Sequence, residues 1–593
     1  MHQPTRLFDV VTYQMQHYSK QDMLAAKVNG EWKKYSTSEV ADVARRFSSG
    51  LLQLGIGDKE LIVEKQDKIS IISANRPEWI LTDLACQQIG AVLVPIYPTI
   101  SIPELEYILN DAETRFLFVQ DADMYEKVQA VRDKLPSLRE IFSFERIHGV
   151  KHWTDIVALA KPEDDARISS IMDSITPQNL ATIIYTSGTT GTPKGCMLSH
   201  ENIMSNVTAC MPYLPVNEEA RALSFLPLNH IFERMVTYLY LQAGVSVYYA
   251  ESMETISDNL KEVKPSIFTT VPRLLEKVYE KIMAKGLELT GIKRALFYWA
   301  VDLGKQYEVN KNLGPWYNLK LSIANKLIFS KWREALGGNI KCIVTGAAAC
   351  QIRLLKIFTA AQIAILEGYG LTETSPVISV NRFNEEDRMF GTVGPVISNV
   401  EVKMADDGEI LCKGPNVTIG YYKRPDLTAD AIQDGWFHTG DIGVLVQNKF
   451  LKITDRKKEL FKTSGGKFVA PQPIENKFKE SPFIEQIMVV GADRKFTGAL
   501  IVPNFHNLED WARKQKIPFP SHEEGLKNPQ VRELFKQAVE KYNQFFNHIE
   551  QVKKFELMPH EWTVDGGEMT PTLKLKRKVI LEKYRNEIER IYA

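Results

Sequence analysis

Several things are scarce in this chain, and each scarcity narrows what it can be. Cysteine is rare: six in 593 residues, scattered and without a C-x-x-C pair. That argues against a disulfide framework or a thiolate zinc site and suits a reducing compartment. Net charge is missing as well, with 73 Lys and Arg against 73 Asp and Glu, so no global field favours nucleic acid. No apolar run reaches the roughly 18 residues needed to span a bilayer. The start, Met1-His2-Gln3-Pro4-Thr5-Arg6, has none of the apolar character of a signal peptide. A cytoplasmic protein is expected, with peripheral contact at the inner face of a membrane left open. What remains is ordinary for a soluble enzyme: 44% hydrophobic and 25% charged residues. The length exceeds what one hydrophobic core organises, so two or more domains are expected.

One further lack is instructive. The chain has a glycine- and hydroxyl-rich loop, Y-T-S-G-T-T-G-T-P-K-G at 185–195, but not the G-x-x-x-x-G-K-[ST] spacing of a Walker A loop. Apolar residues 181–184 run into it as a buried strand, and a helix is expected after Met197-Leu198-Ser199-His200. Gly188, Gly191 and Gly195 allow the backbone to turn its N–H groups inward. Thr186, Ser187, Thr189 and Thr190 add hydroxyls, and Lys194 adds a point charge. A lone loop of this composition is most often a flexible surface turn; the full string reads as a cradle for polyphosphate.

Alternating strands and helices imply a mainly parallel, covered sheet. A helix is expected over 37–54, strands at 69–72 and 90–95, a helix opening at Pro77, and a strand at 116–119. A lone His beside apolar residues is more often structural than catalytic, but His230 lies between a strand-like run and a helix, a common place for a site residue. The strand at 340–345 ends in Gly346-Ala347-Ala348, whose small side chains let a flat ring approach the backbone. A strand at 363–366 ends in E-G-Y-G-L-T-E-T at 367–374. Ligands of open α/β sheets collect beyond the carboxyl ends of strands. Gly368, Tyr369 and Gly370 offer a stacking face on a close backbone, Thr372 a hydroxyl, and Glu373 a hard oxygen suited to Mg²⁺. Residues 391–441 look like a compact β subdomain. Long amphipathic helices are expected over 291–308, with Ile292, Ala295, Leu296, Trp299, Ala300 and Leu303 on one apolar face, and over 531–552.

These strings together resemble the adenylate-forming superfamily of acyl-CoA synthetases, luciferases and peptide-synthetase adenylation domains. The resemblance extends to G-W-F-H-T-G-D at 435–441, D-R-K-K at 455–458, S-G-G-K at 464–467 and T-P-T-L-K-L-K-R at 570–577. The stretch I-K-R-A-L-F-Y-W-A-V-D-L-G-K at 292–305 is similar to an insertion of the long-chain members. The resemblance implies an α/β fold with a large N-terminal domain (1–455, layered sheets plus the β subdomain) and a small mobile C-terminal α/β domain (456–593). It implies a long-chain fatty acid:CoA ligase using ATP, Mg²⁺ and CoA. Gly346, Ala347 and Ala348 would pack on adenine, Asp441 would bind the ribose hydroxyls, and Arg456 would reach the nucleotide. His230 would line the acyl pocket, and Lys458 would be the hinge. Gly465, Gly466 and Lys467 would line the pantetheine tunnel. Leu573 stands where many members carry Gly, and the catalytic lysine is Lys574 by alignment, with Lys576 as the alternative. Rival readings are a fatty acyl-AMP ligase serving a carrier protein, a CoA ligase for short or aryl acids, and a lipid-binding protein that kept the fold. A homodimer is compatible with all of them.

Overall fold

The computed structural model describes residues 3–187, 192–570 and 574–593, the side chain of Ser187 excepted. Gly188, Thr189, Thr190, Gly191 and Leu573 therefore lie outside the described residues. The chain groups into two units. The first comprises Met1–Ala347, Arg353–Val402 and Cys412–His438; the second comprises Ala348–Ile352, Lys403–Leu411 and Thr439–Ala593.

Two eight-stranded sheets build the first unit. One runs in the order Gly420–Tyr421, Pro193–Ser199, Leu180–Ser187, Val92–Ile96, Lys68–Ile72, Phe116–Val119, Glu140–Ser143 and Lys151–His152. From Leu180–Ser187 onward every neighbour is parallel; the first two strands are antiparallel additions. Both Lys68–Ile72 and Val92–Ile96 are buried at every position, as strands covered on both faces must be. The other sheet runs Val377–Val380, Ala364–Gly370, Cys342–Thr345, Ile267–Thr270, Arg221–Ser224, Ser246–Tyr249, Leu24–Val28 and Glu31–Tyr35. It too is parallel except at its two edges.

The helices form where local chemistry allows. Thr37–Gln53 opens on a capping box: the Ser36 hydroxyl takes the Glu39 N–H and Glu39 takes the Ser36 N–H. Pro77–Gln88 opens on a proline, whose missing N–H costs nothing in a first turn. The polar tie of this unit is a fully buried cluster. Arg234, on the helix Ile231–Gln242, forks onto Asp83 of Pro77–Gln88 at 2.9 and 2.5 Å. It also donates to Thr182 of Leu180–Ser187 at 2.8 Å. Tyr238 donates to Asp83 at 2.7 Å, and Gln87 donates to both. Every charge in it is matched, the condition under which buried ions are tolerated.

In the second unit, Ile484–Val490 and Gly498–Pro503 pair antiparallel, and Lys554–Leu557 adds in parallel. Val469, Ile474, Phe478, Phe535 and Ile580 belong to the core packed on this sheet. The hairpin of Trp436–Val446 and Phe450–Arg456 carries Asp441 opposite Arg456.

Three expectations need correction. The helix expected over 531–552 ends at Asn543, and Phe545 and Ile549 beyond it are exposed. The Asn543 side chain stops it by exchanging two 2.9 Å hydrogen bonds with the Val552 backbone, which turns the chain back. The helix over 291–308 is Gly291–Lys305, and it buries Phe297, Ala300, Val301, Leu303 and Gly304, leaving Ile292 and Ala295 in solvent. Lys194 sits not on a loop but on a returning strand, paired with Thr186; the expected helix, His200–Cys210, starts six residues later. Among the described residues no helix is long and apolar enough to cross a membrane.

Candidate active site

His230 is held by the start of its own helix. It N-caps the helix Ile231–Gln242 and accepts the Phe232 N–H at 3.2 Å through Nδ1. The loop before it is pinned by Asn75, whose amide donates to the Leu226 carbonyl at 2.6 Å and accepts the Leu228 N–H at 2.8 Å. Asn229 donates to the Ile96 carbonyl at 2.6 Å. One helical turn on, Glu233 is buried, takes the Ser224 hydroxyl at 2.6 Å and is bonded by Thr269. Burial pushes its carboxyl up to about 7, against the pull of those two hydroxyls. Sequence reasoning passed over Glu233, since nothing in the string L-N-H-I-F-E-R marks that acid as buried.

Glu373 sits in the short turn Thr372–Thr374, just past the end of the strand Ala364–Gly370. Its carboxylate accepts the Tyr421 hydroxyl at 2.8 Å, and its carbonyl accepts the Thr418 N–H at 2.8 Å. The same Tyr421 carries Lys194 over its ring, 4.9 Å from the centroid. Burial and then the nearby Glu373 charge raise the Tyr421 phenol well above its ordinary range, so it stays a donor. Tyr421 thus joins the carboxylate to the lysine of the glycine- and hydroxyl-rich string, and sequence reasoning missed it. It stands 48 residues from Glu373 in the chain, and only the antiparallel pairing of Gly420–Tyr421 with Met197 and Cys196 delivers it. Thr372 is buried in the same turn.

The small residues keep this end of the sheet close-packed and open to a flat group. A Cβ on Gly346 would lie 3.4 Å from the Phe232 ring and 3.5 Å from the Gly368 carbonyl. Gly346 and Gly368 therefore face one another beside the residue that follows Ile231. Ala347 adopts φ +69°, a region an L residue enters only when its surroundings impose it. Gly370 has no freedom at all: a Cβ there would lie 1.6 Å from the Pro376 carbonyl oxygen. Tyr369 is partly exposed on the same strand end. Among the described residues no three His, Cys, Asp or Glu converge to hold a metal. A cation here would take Glu373 with phosphate oxygens and water, which is how Mg²⁺ binds. The donor set fits that ion.

The remaining candidates lie in the second unit, Ala348 among them, although Ala347 before it belongs to the first. Asp441 is buried and paired to Arg456 at 3.2 Å. Beside them Glu409 accepts the Gly440 N–H and Lys457 Nζ, both at 2.9 Å. Lys574 shares this electrostatic neighbourhood. Burial lowers its ammonium to about 8; the Arg456 charge adds to the fall, while Asp441 and Glu459 oppose it. Its backbone is fixed by an exchange with Thr570, at 2.8 and 3.0 Å. Lys576 instead stands at the N-terminal boundary of the helix Arg577–Lys583, with no side-chain capping bond. Lys458 is exposed. Gly465, Gly466 and Lys467 form the exposed tip between Phe461–Lys462 and Phe468–Val469, closed by the Thr463 N–H on the Lys467 carbonyl at 2.9 Å. Gly466 needs φ +76° there.

Comparison with known proteins follows from this geometry. Residues 13–422 match the family model described as AMP-binding enzyme, and 459–593 match that of the AMP-binding enzyme C-terminal domain. The long-chain-fatty-acid–CoA ligase FadD15 of Mycobacterium bovis is 34% identical over 571 residues, spanning 95% of this chain and 93% of its own. Long-chain-fatty-acid–CoA ligase 1 of Cavia porcellus is 34% identical over 600 residues, covering 95% of this chain and 82% of its own. Among solved structures, the A domain of carboxylic acid reductase from Segniliparus rugosus, in complex with AMP and a co-purified carboxylic acid, superposes with TM-score 0.74. Its identity is 19%, and 100% and 95% of the chains are covered. The o-succinylbenzoate CoA synthetase of Bacillus subtilis, with ATP and magnesium, gives TM-score 0.68 at 19% identity, covering 96% and 98%.

Proposed function

The chain belongs to the AMP-binding enzyme family, and from that premise we propose that it is an AMP-forming long-chain fatty acid:CoA ligase. A carboxylate is a poor acyl donor because oxide would have to leave. Attack of the fatty carboxylate oxygen on the α-phosphorus of ATP forms acyl-AMP and breaks the bond to pyrophosphate. The CoA thiol then attacks the acyl carbon, and AMP leaves.

The first step brings two anions together, so fixed positive charge is its main requirement. Lys194 and Lys574 supply it. Lys194 serves the polyphosphate from the strand that leaves the glycine-rich loop, and Lys574 bridges acyl and phosphate oxygens. Glu373, together with the nucleotide's own phosphates, would hold Mg²⁺, which would supply positive charge where pyrophosphate departs. Tyr421 aims the Glu373 carboxylate. Thr372 offers its hydroxyl to the α-phosphate, Gly346, Ala347 and Tyr369 take the adenine, and Asp441 with Arg456 takes the ribose and phosphate. His230, with its Nδ1 committed to a backbone N–H, lines the acyl pocket rather than moving protons. The second step needs different surroundings, which we assign to a hinge at Lys458 between residues 1–455 and 456–593. That hinge exchanges Lys574 for the exposed tip at 465–467.

The observation that carries this reading is Tyr421, which ties together the lysine and the carboxylate that a magnesium polyphosphate requires. The test is release of pyrophosphate and formation of thioester by purified protein with ATP, Mg²⁺ and acids from acetate to long chains, with and without CoA. An acyl-CoA product peaking at long chains is expected. Pyrophosphate without thioester would make the protein an acyl-AMP ligase and remove the role given to 465–467.

A further inference from the structure

The helix that follows the 292–305 stretch leaves an apolar face uncovered. Four large apolar side chains stand in solvent within twelve residues: Trp316 at 74% exposure, Leu319 at 52%, Ile323 at 43% and Leu327 at 47%. Trp316, Leu319 and Ile323 belong to the helix Pro315–Ala324 and Leu327 to the π-helical turn Asn325–Phe329 that continues it. Their spacing of three, four and four residues puts them on one stripe. The buried side of the same segment, Ala324, Asn325 and Phe329, is already packed. Ile292, 80% exposed, opens the neighbouring helix Gly291–Lys305, which packs on both segments.

The charge carried by the segment itself has one sign. Residues 309–333 contain Lys311, Lys320, Lys326, Lys331 and Arg333 and no acid, in a chain whose net charge is zero. Lys320, Lys326 and Lys331 are exposed, and none takes part in an ion pair among the described residues. Arg333 is turned inward onto the Asn325 and Ala361 carbonyls. An exposed apolar stripe on a helix, led by a tryptophan and flanked by unpaired lysines, has the composition of a segment that lies in a bilayer interface.

We propose that the 315–331 face docks on the surface of an anionic lipid bilayer. Trp316, Leu319, Ile323 and Leu327 enter the headgroup–acyl boundary, and Lys320, Lys326 and Lys331 meet lipid phosphates. Hydrophobic burial supplies the anchoring, and the lysines select anionic membranes and make binding fall with salt. The docking stands on this surface alone. Its use rests on the ligase reading, since a long-chain acid partitions into the bilayer and a docked enzyme meets its substrate there.

The test is co-sedimentation of the full chain, without nucleotide, with phosphatidylcholine vesicles that contain or lack phosphatidylglycerol, at low and high salt. Wild type should bind the anionic vesicles, and high salt should weaken that binding. Lys320→Glu/Lys326→Glu/Lys331→Glu should reduce it about tenfold or more, and Trp316→Ser/Leu319→Ser/Ile323→Ser/Leu327→Ser should do the same. Should the quadruple variant fail to fold, the single Trp316→Phe settles the point, because brominated lipid should quench wild-type fluorescence more than the variant's. Turnover of a water-soluble shorter acid without vesicles should be unchanged in the lysine variant, which separates loss of docking from failure of the ligase reading. Equal sedimentation of wild type and variants overturns the proposal. So does salt-independent binding to neutral vesicles, and so does a concentration-dependent dimer that the same substitutions abolish.

Discussion

The cluster around Asp83 and Arg234 and the cluster around Asp441 and Arg456 are both acid–arginine pairs, yet they are built for opposite ends. The first is wholly buried; its guanidinium makes three hydrogen bonds and its carboxylate is shared with Tyr238 and Gln87. The second pairs a buried acid with an arginine 40% exposed, at 3.2 Å, and keeps a lysine of lowered pKa close by. A charge satisfied from every side locks elements together. A charge left partly in water beside a like charge can be recruited by an anionic substrate, at little cost to the fold.

That contrast is sharpest where catalysis and stability should separate. Lys574→Ala should lower pyrophosphate release by about 10³-fold while thioester formation from supplied acyl-AMP stays near wild type, and the denaturation midpoint should hold. Equal loss in both half-reactions would give the role to another group, Lys576 first. Arg234→Leu should do the reverse, costing about 3–5 kcal/mol of stability because it strands the Asp83 charge; a denaturant titration showing no loss would mean water reaches Asp83. Lys458→Pro should leave adenylation and stability intact and cut CoA thioester synthesis roughly tenfold or more, so unimpaired thioester synthesis would remove the hinge. Tyr421→Phe keeps the ring under Lys194 but deletes the donor to Glu373. Loss of one hydrogen bond to a charged group should raise the Mg²⁺ requirement about tenfold, and an unchanged magnesium titration would dismiss Tyr421 as a positioning residue.

The smallest effect is in pH. Lys574 is held down to about 8 by burial, so its cation is present below that pH and lost above it. The kcat/KM for adenylation, which reports the free enzyme, should fall along an alkaline limb near pH 8. Lys574→Arg should move that limb upward; a limb that stays put belongs to a different group.

Much of this architecture was legible before any coordinates. Hydrophobic runs at 69–72 and 116–119 and the helix opening at Pro77 are local signals, and the elements lie where those signals put them; the strand expected over 90–95 runs Val92–Ile96. Glu373 was legible because strand ends gather ligands. The failures share one cause. Tyr421 reaches Glu373 only through an edge strand added from far along the chain. Glu233 looks like an ordinary surface acid until Ser224 and Thr269 close over it. Asn543 ends its helix by binding Val552, a contact that helical periodicity does not contain. Ile292 and Ala295 continue an apolar pattern beyond the point where the body of the protein has anything to pack against them.

Local propensity, strand-end chemistry and an ordered series of motifs were thus enough to name the fold and the reaction, and to nominate the residues proposed to serve it. Which charges are sequestered, which stay in water and which apolar stripe is left uncovered were decided by packing. Burial and pairing depend on residues distant in the chain, and a side chain's pKa and exposure are properties of that assembled environment, not of the residue type.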